Sequence, residues 1–267
     1  MKRLNFHDNN IVMGILNATD DSFSGDGIGN NIDKAKFITA DFIDAGVDII
    51  DIGGESTRPK SIYSGVQDVT ADEELSNVIP IIEAVKSNFD ILISIDTRKS
   101  EVAREALKYG ANIINDISML NYDENMINFL QENNNPYILT HNKKINSENI
   151  SYQVKKDLEK VIDNLVKKGI NKNRLIIDPG FGFNKTVKQN IELHNNFDRI
   201  KINSVPILVG TSKKSFLGEI SNNPDIDSRT EISIASALNL KDKGANIFRM
   251  HDAVLFKKLI KFIELLK

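Results

Sequence analysis

The 267-residue sequence predicts one (β/α)8 barrel, a single domain over residues 1–267, and three observations carry that expectation. First, three segments resemble one another: "AGVDIIDIGG" from Ala45, "YGANIINDIS" from Tyr109 and "KGANIFRMHD" from Lys243. Each passes from a glycine through a small apolar and a polar residue into a short apolar run, then reaches Asp, Asn, or Arg with His. Second, five more apolar runs bring the series to eight. Third, stretches of helical periodicity separate most of them. Strands and helices alternating in this number fit a closed barrel, with a doubly wound open sheet as the alternative.

The elements follow in order. IVMGIL (11–16) is a buried strand with Asn17 at its end. A helix then closes on Gly46 in the left-handed C′ position, and a short loop leads into the strand of Val47, Ile49, Ile50 and Ile52. Thr70 and Glu73 have the spacing of a capping box, and Leu75, Val78, Ile79, Ile82 and Val85 recur at helical spacing behind them. Pro80 lies inside that helix and should kink it. ILISI (91–95) comes next, then a helix ending at Gly110, the run before Asn115, and PYILT (136–140). Val154, Leu158, Val161, Ile162 and Leu165 mark a helix before Gly169. RLIID (174–178), PILVG (206–210) and the strand after Gly244 complete the eight. Val254, Leu255, Leu259, Phe262 and Ile263 form a final helical stripe, which fits either barrel packing or a subunit face. No Gly/Ser-rich linker divides the chain, and the Asn-rich stretches read as surface loops.

Composition narrows the function. A formal net charge of −3 without a basic tail argues against nucleic acid as a partner. The apolar run near the start is too short for a signal core or a membrane span, which makes the expected location cytoplasmic. With no cysteine there is no thiolate nucleophile and no Cys-ligated metal, and the four scattered histidines offer little for a His-rich site. A small-molecule enzyme is the better expectation.

Barrel enzymes place their chemistry where strands run into the following loops. Those positions hold Asn17, Asp51, Asp96, Asn115, His141, Asp178, the Ser212–Ser215 stretch, and Arg249 with His251. Any one Asp there reads as a helix cap or turn residue, but a complete ring is harder to explain that way. Asp51, Asp96, Asp178 and the amide of Asn115 can accept from a planar heterocycle rich in N–H groups. Arg58, Lys213, Lys214, Arg249 and His251 suit an anion such as phosphate or carboxylate. Two motifs are set aside. "GTSKKS" lacks the glycine before its lysine that a P-loop needs, and "GDGIG" is a partial dinucleotide fingerprint better read as a mobile loop, with Phe23 available to close over a ligand.

Together, "MGILNATDDSFSGDG", "DIGGESTRP", "SIDTRKSEVA", "NDIS", "DPGFGF", "GTSKKSFLG" and "RMHD", in that order, resemble the dihydropteroate synthases across nearly the whole chain. The resemblance implies condensation of a dihydropterin pyrophosphate with p-aminobenzoate. By position, Asp96, Asn115, Asp178 and Lys214 would contact the pterin, with Lys214 donating to its carbonyl. Asn17, Arg58, Arg249 and His251 would hold the pyrophosphate, with Asn17 also a contact to Mg²⁺. Phe23, Thr57, Pro59, Phe183 and Ser215 would form the aminobenzoate pocket. The implied mechanism resembles an SN1 displacement, in which Asp51, Lys214, Arg249 and His251 serve the chemistry and loops exclude water. A homodimer is implied as well.

Four features depart from the common pattern of that family. Asp20 stands where proline is usual, Thr140 replaces methionine before His141, Lys213 replaces an arginine, and the loop from Pro59 to Leu75 is longer. These departures suggest altered affinities, and they keep two other readings open: a non-catalytic pterin-binding paralogue and a corrinoid-dependent methyltetrahydrofolate methyltransferase domain. His7 and His194 read as surface residues and Lys213 as a solvated charge. His141 reads equally as a packed strand-end histidine or a functional one.

Overall fold

The structure is a computed structural model, and it describes residues 4–19, 27–29, 31–55, 69–223 and 225–266. Eight parallel strands run β1 (Ile11–Asn17), β2 (Ile49–Gly53), β3 (Leu92–Asp96), β4 (Ile113–Asp116), β5 (Tyr137–Thr140), β6 (Leu175–Asp178), β7 (Leu208–Val209) and β8 (Ile247–Met250). Between and after them come α1 (Ile32–Ala45), α2 (Ala71–Asn88), α3 (Ser100–Tyr109), α4 (Met126–Glu132), α5 (Ile150–Lys167), α6 (Val187–Asn195), α7 (Ser215–Ile220), α8 (Thr230–Asp242) and α9 (Ala253–Leu265). Hydrogen bonding follows the order β6-β5-β4-β3-β2-β1-β8-β7. The remaining seam, β6 to β7, is closed by one Ile177–Ile207 bridge, where Ile177 N donates to Pro206 O at 3.0 Å. The predicted (β/α)8 barrel is therefore the observed one, and the open sheet is excluded.

The resembling segments fold as the same unit. Gly46, Gly110, Gly169 and Gly244 all have positive φ. In each case the next residue's N–H reaches back to a helix carbonyl: Val47 to Phe42, Ala111 to Ala106, Ile170 to Leu165 and Ala245 to Leu240, at 2.8–3.0 Å. That is the Schellman pattern, which satisfies carbonyls a helix end leaves over. The polar residue in three of these units has its own task. Asp48, Asn112 and Asn246 accept from N–H groups at or next to the start of the neighbouring strands, at Val12 (2.9 Å), Ile93 (3.0 Å) and Ile207 (2.9 Å). Each αβ turn thus fixes the register of the strand beside it at the closed end of the barrel.

The capping box forms as read: Thr70 N donates to Glu73 Oε2 at 2.9 Å, and Glu73 N to Thr70 Oγ1 at 3.2 Å. Helix α2 runs through Pro80 without a break, because Val78, Ile81, Ile82 and Val85 are fully buried against the sheet and hold it there. Thr70→Ala should cost about 1 kcal/mol by removing the cap. A lowered urea midpoint with an unchanged slope would confirm it.

Some boundaries move. Arg174 leaves the predicted sixth strand for a 3-10 turn, Lys172–Arg174, and its Nη1 donates to Leu130 O at 2.8 Å. The seventh strand shrinks to two residues. Helix α9 buries Ala253, Phe256, Lys257 and Ile260, so its packing face is rotated from the predicted stripe, and Leu255 and Phe262 point outward.

Alternation along the strands sorts the interior into two layers. Ile11, Met13, Ile49, Ile113, Ile138, Ile176, Leu208 and Ile247 pack into one apolar plug inside the barrel. Two residues further along, on the same face, stand Asp51, Asn115, Thr140, Asp178, Gly210 and Arg249. The strand that buries an isoleucine at one level presents a polar group at the next.

Candidate active site

Arg249 lies at the centre of the polar layer. Its Nε donates to Asp51 Oδ2 and its Nη2 to Asp96 Oδ2, both at 2.6 Å. Asn115 Nδ2 also donates to Asp51 Oδ2, at 3.1 Å. Asp51 is fully buried, and register explains the grouping: it pairs with Ser94 on β3 while Asp96 pairs with Asn115 on β4. Burial pushes the Asp96 carboxyl up to about 7, against the pull of Arg249 and with the charge of Asp51 adding to the rise. The two carboxylates hold the Arg249 guanidinium well above its ordinary range, so it stays charged at any ordinary pH.

The layer is not saturated. Asp51 Oδ1, Asn115 Oδ1, Ser94 Oγ and Thr140 Oγ1 are buried and have no hydrogen-bond partner. Burying such groups without partners costs free energy, and native proteins keep few of them. Several at one level of one barrel mark a place where a polar ligand completes the bonding. Gly210 leaves room there, since a Cβ on it would lie 4.0 Å from both Arg249 Cβ and Asp178 Oδ2.

The other half of the mouth is built from β5, β6 and β7. Asp178 Oδ1 accepts from Gly180 N at 2.8 Å, so the turn-residue reading holds in part, while burial raises its carboxyl pKa. Gly180 has φ +72, and a Cβ there would come 2.0 Å from His141 O, so no other residue fits. Beyond it, the Phe183 ring centroid is 4.1 Å from Lys214 Nζ, within cation–π range. Burial, with Arg249 near, draws Lys214 down to about 8. Ser212 Oγ lies 3.0 Å from His251 Nδ1 and accepts from His251 N at 3.1 Å, which orients the ring.

The structure therefore brings together Asp51, Asp96, Asn115 and Arg249 by direct contact, sets Lys214 beside Phe183, and places Asp178 and His251 at the same end of the barrel. Asn17 is half-buried at the end of β1, and Ser215 is exposed as the first residue of α7. Phe23, Thr57, Arg58 and Pro59 lie outside the described residues, as does Asp20. Among the described residues no group of three His, Cys, Asp or Glu side chains is placed to hold a metal ion. One amide oxygen, that of Asn17, suits Mg²⁺ only where water and an anionic substrate supply the other ligands.

Three readings need correction or completion. Lys213 is not a solvated charge: it is 9% exposed with φ +56, its N donates to Ser233 Oγ at 2.9 Å, and its O accepts from Arg229 Nη1 at 3.1 Å. His194 is half-buried rather than on the surface, 3.1 Å from Ser236 Oγ and edge-on to Phe181, whereas His7 is exposed as expected. His141 is a packed histidine, fully buried, with its Nε2 3.4 Å from Asp157 Oδ2. Burial and the Lys185 charge lower its pKa to about 4, so the ring is neutral.

Two further groups at the mouth are not marked by the sequence pattern. Lys185 is folded in against His141 and the loop after β6. Glu55, at the end of β2, is gripped by Arg98 (2.5 Å) and Lys99 (2.8 Å), and Lys99 also meets the buried Glu74 at 2.5 Å. The dense charge in "TRKS" and "GGES" was the available signal for that cluster.

Residues 13–251 match the model of the pterin binding enzyme family. A dihydropteroate synthase of Clostridium beijerinckii is 40% identical over 99% of this chain and 97% of its own. Among solved structures, a Xanthomonas albilineans dihydropteroate synthase with 4-aminobenzoic acid superposes with a TM-score of 0.86 at 31% identity, covering 98% of this chain and 95% of that one. A Coxiella burnetii dihydropteroate synthase in complex with pteroic acid gives 0.86 at 34% identity, over 98% and 94%.

Proposed function

The chain belongs to the pterin-binding enzymes, with dihydropteroate synthases of folate biosynthesis as its relatives, and from that premise we propose how its residues divide the work of this transferase. The substrates are a hydroxymethyl-dihydropterin pyrophosphate and p-aminobenzoate. The observation that carries the assignment is the set of unpartnered buried groups around Arg249. Acceptors there, with Asp96 and Asp178, suit the N–H edge of a pterin, and the ammonium of Lys214 suits its carbonyl.

Arg249 and His251 neutralise the pyrophosphate as the bond from the pterin methylene to its oxygen breaks and the electron pair leaves with it. The methylene carbon carries positive charge until the arylamine nitrogen forms the new C–N bond and loses a proton, an SN1-like course. Asp51, an anion behind Arg249, adds negative potential on the side where that cation develops. Mg²⁺ bound through Asn17 and the pyrophosphate would supply charge stabilisation to the leaving group. Phe183 and Ser215 would line the amine pocket with Phe23, Thr57 and Pro59, and Arg58 would assist at the pyrophosphate. A homodimer in the cytoplasm belongs to the same reading. No helix among the described residues is long and apolar enough to cross a membrane.

The test is a product assay with Mg²⁺ and both substrates, following pyrophosphate and dihydropteroate together. Stoichiometric formation of both is the expected result. Pyrophosphate alone would mean the amine pocket fails, and tight pterin binding without either product would identify a non-catalytic pterin binder. Methyl transfer from methyltetrahydrofolate would replace the assignment altogether.

A further inference from the structure

We propose that Lys185 is a positioning residue for the aromatic amine: it ties the end of β5 to the loop after β6 and so fixes the Phe183 ring beside Lys214. The inference rests on the reading above for the identity of the amine. Its geometry stands independently. Lys185 Nζ donates to Gly180 O at 2.8 Å, to Phe183 O at 3.1 Å and to His141 O at 3.2 Å, and lies 3.2 Å from His141 Nδ1. The segment it holds contains three residues with positive φ, Gly180, Gly182 and Asn184, so the chain doubles back and points its carbonyls inward instead of into a ladder. Gly180 O also accepts from Phe183 N at 3.1 Å within the turn, so without the lysine that carbonyl would keep one donor, whereas the carbonyls of Phe183 and His141 would lose the donor that Lys185 brings them. Further ties run from Gly182 N to Asn190 Oδ1, from Asn190 Nδ2 to Lys185 O, from Gly180 N to Asp178 Oδ1 and from Asn184 Nδ2 to Asn142 Oδ1, and none of these reaches the Phe183 carbonyl.

The tie depends on charge. Four acceptors surround the nitrogen; an ammonium has three N–H donors for them and a neutral amine only two. The charged groups facing it are Asp178 from β6, which favours the proton, and Lys214 from the start of α7, which opposes it. From β5, His141 is neutral, and behind it Asp157 pairs with Lys143 at 3.3 Å. Burial dominates and brings Lys185 down to about 7. Above that pH the amine loses its proton, the loop loosens, and the ring of Phe183 is less well placed. Asp96 and Lys214 titrate in the same range, so the informative quantity is the difference between wild type and variant.

The experiment measures KM for p-aminobenzoate and kcat, with saturating pterin pyrophosphate, from about pH 6 to about pH 9 in wild type, Lys185→Met and Lys185→Arg. Lys185→Met should raise the amine KM about tenfold at the acid end, the scale of losing about one net hydrogen bond in the hold on the ring. Its affinity for pterin pyrophosphate, measured by calorimetry, should stay within about twofold of wild type. Lys185→Arg keeps its charge throughout, so the climb in KM that wild type shows above neutrality should be absent. An unchanged amine KM in Lys185→Met, or a parallel loss of pterin affinity, overturns the proposal. Should that variant not fold, Lys185→Arg decides alone: a KM that climbs as in wild type is fatal. If wild type forms no product, the functional reading fails, and amine binding in the presence of pterin and pyrophosphate still decides: equal affinity in wild type and variant sinks the role of Lys185.

Discussion

Arg249→Met is expected to cost about 3–5 kcal/mol of folding stability at neutral pH, because it leaves the buried Asp51 and the largely covered Asp96 side by side without their cation. The loss should depend on pH in a definite direction. Asp96 already titrates near 7 with Arg249 present, and without it the carboxyl must rise further. A group whose folded pKa lies above its unfolded value favours the native state when protonated. The contribution is full below the unfolded value, near 4, and disappears as pH rises through the folded one. The variant should therefore unfold at lower denaturant concentration at pH 8 than at pH 5, by a wider margin than wild type, and urea titrations at the two values would measure it. Turnover should fall by about two to three orders of magnitude, the usual cost of removing a preorganised stabiliser of developing charge. Equal stability at both pH values would mean that the two carboxylates relax apart.

Asp178→Asn tests the other half of the mouth with less disturbance. An amide oxygen can still accept from Gly180 N, so the turn should survive and thermal stability should change little. What is lost is a carboxylate aimed at an N–H edge, and the new NH₂ would face a donor. KM for the pterin pyrophosphate should rise about 100-fold, the scale for truncating one partner of a buried charge-assisted pair. Steady-state kinetics with saturating p-aminobenzoate would measure it. A wild-type KM would move the pterin away from Asp178.

The fold was legible because its signals are local and repeated. A glycine at the C′ position, a polar residue and an apolar run appear three times in nearly the same form, and the structure turns each into one helix end, one strand cap and one strand. The ring of strand-end residues was legible by the same logic, since alternation alone puts Asp51, Asn115, Asp178 and Arg249 above the apolar plug. How those residues pair was not. Arg249 meets Asp51 and Asp96 across 198 and 153 residues of chain, a contact that exists only once the barrel has closed. The inward placement of Lys185 and Lys213 is hidden in the sequence for a different reason. A lysine in a polar stretch normally lies in water, and only the left-handed turns at Gly180, Asn184 and Lys213 itself carry these two inward. A clue was present in "GFGFNK", where turn-forming residues crowd ahead of a lysine and their carbonyls need a donor.

The seam between β6 and β7 is the least laced of the barrel's strand junctions among the described residues. Five residue pairs align β1 with β2, whereas a single bridge joins β6 to β7. Asp178 ends one side of that seam, and Lys214 follows the other. A heterocycle gripped by both would act as a stitch across the hoop, adding lateral cohesion to the single backbone bridge there. Substrate would then be a structural member of the wall, and the empty protein would breathe along this one line.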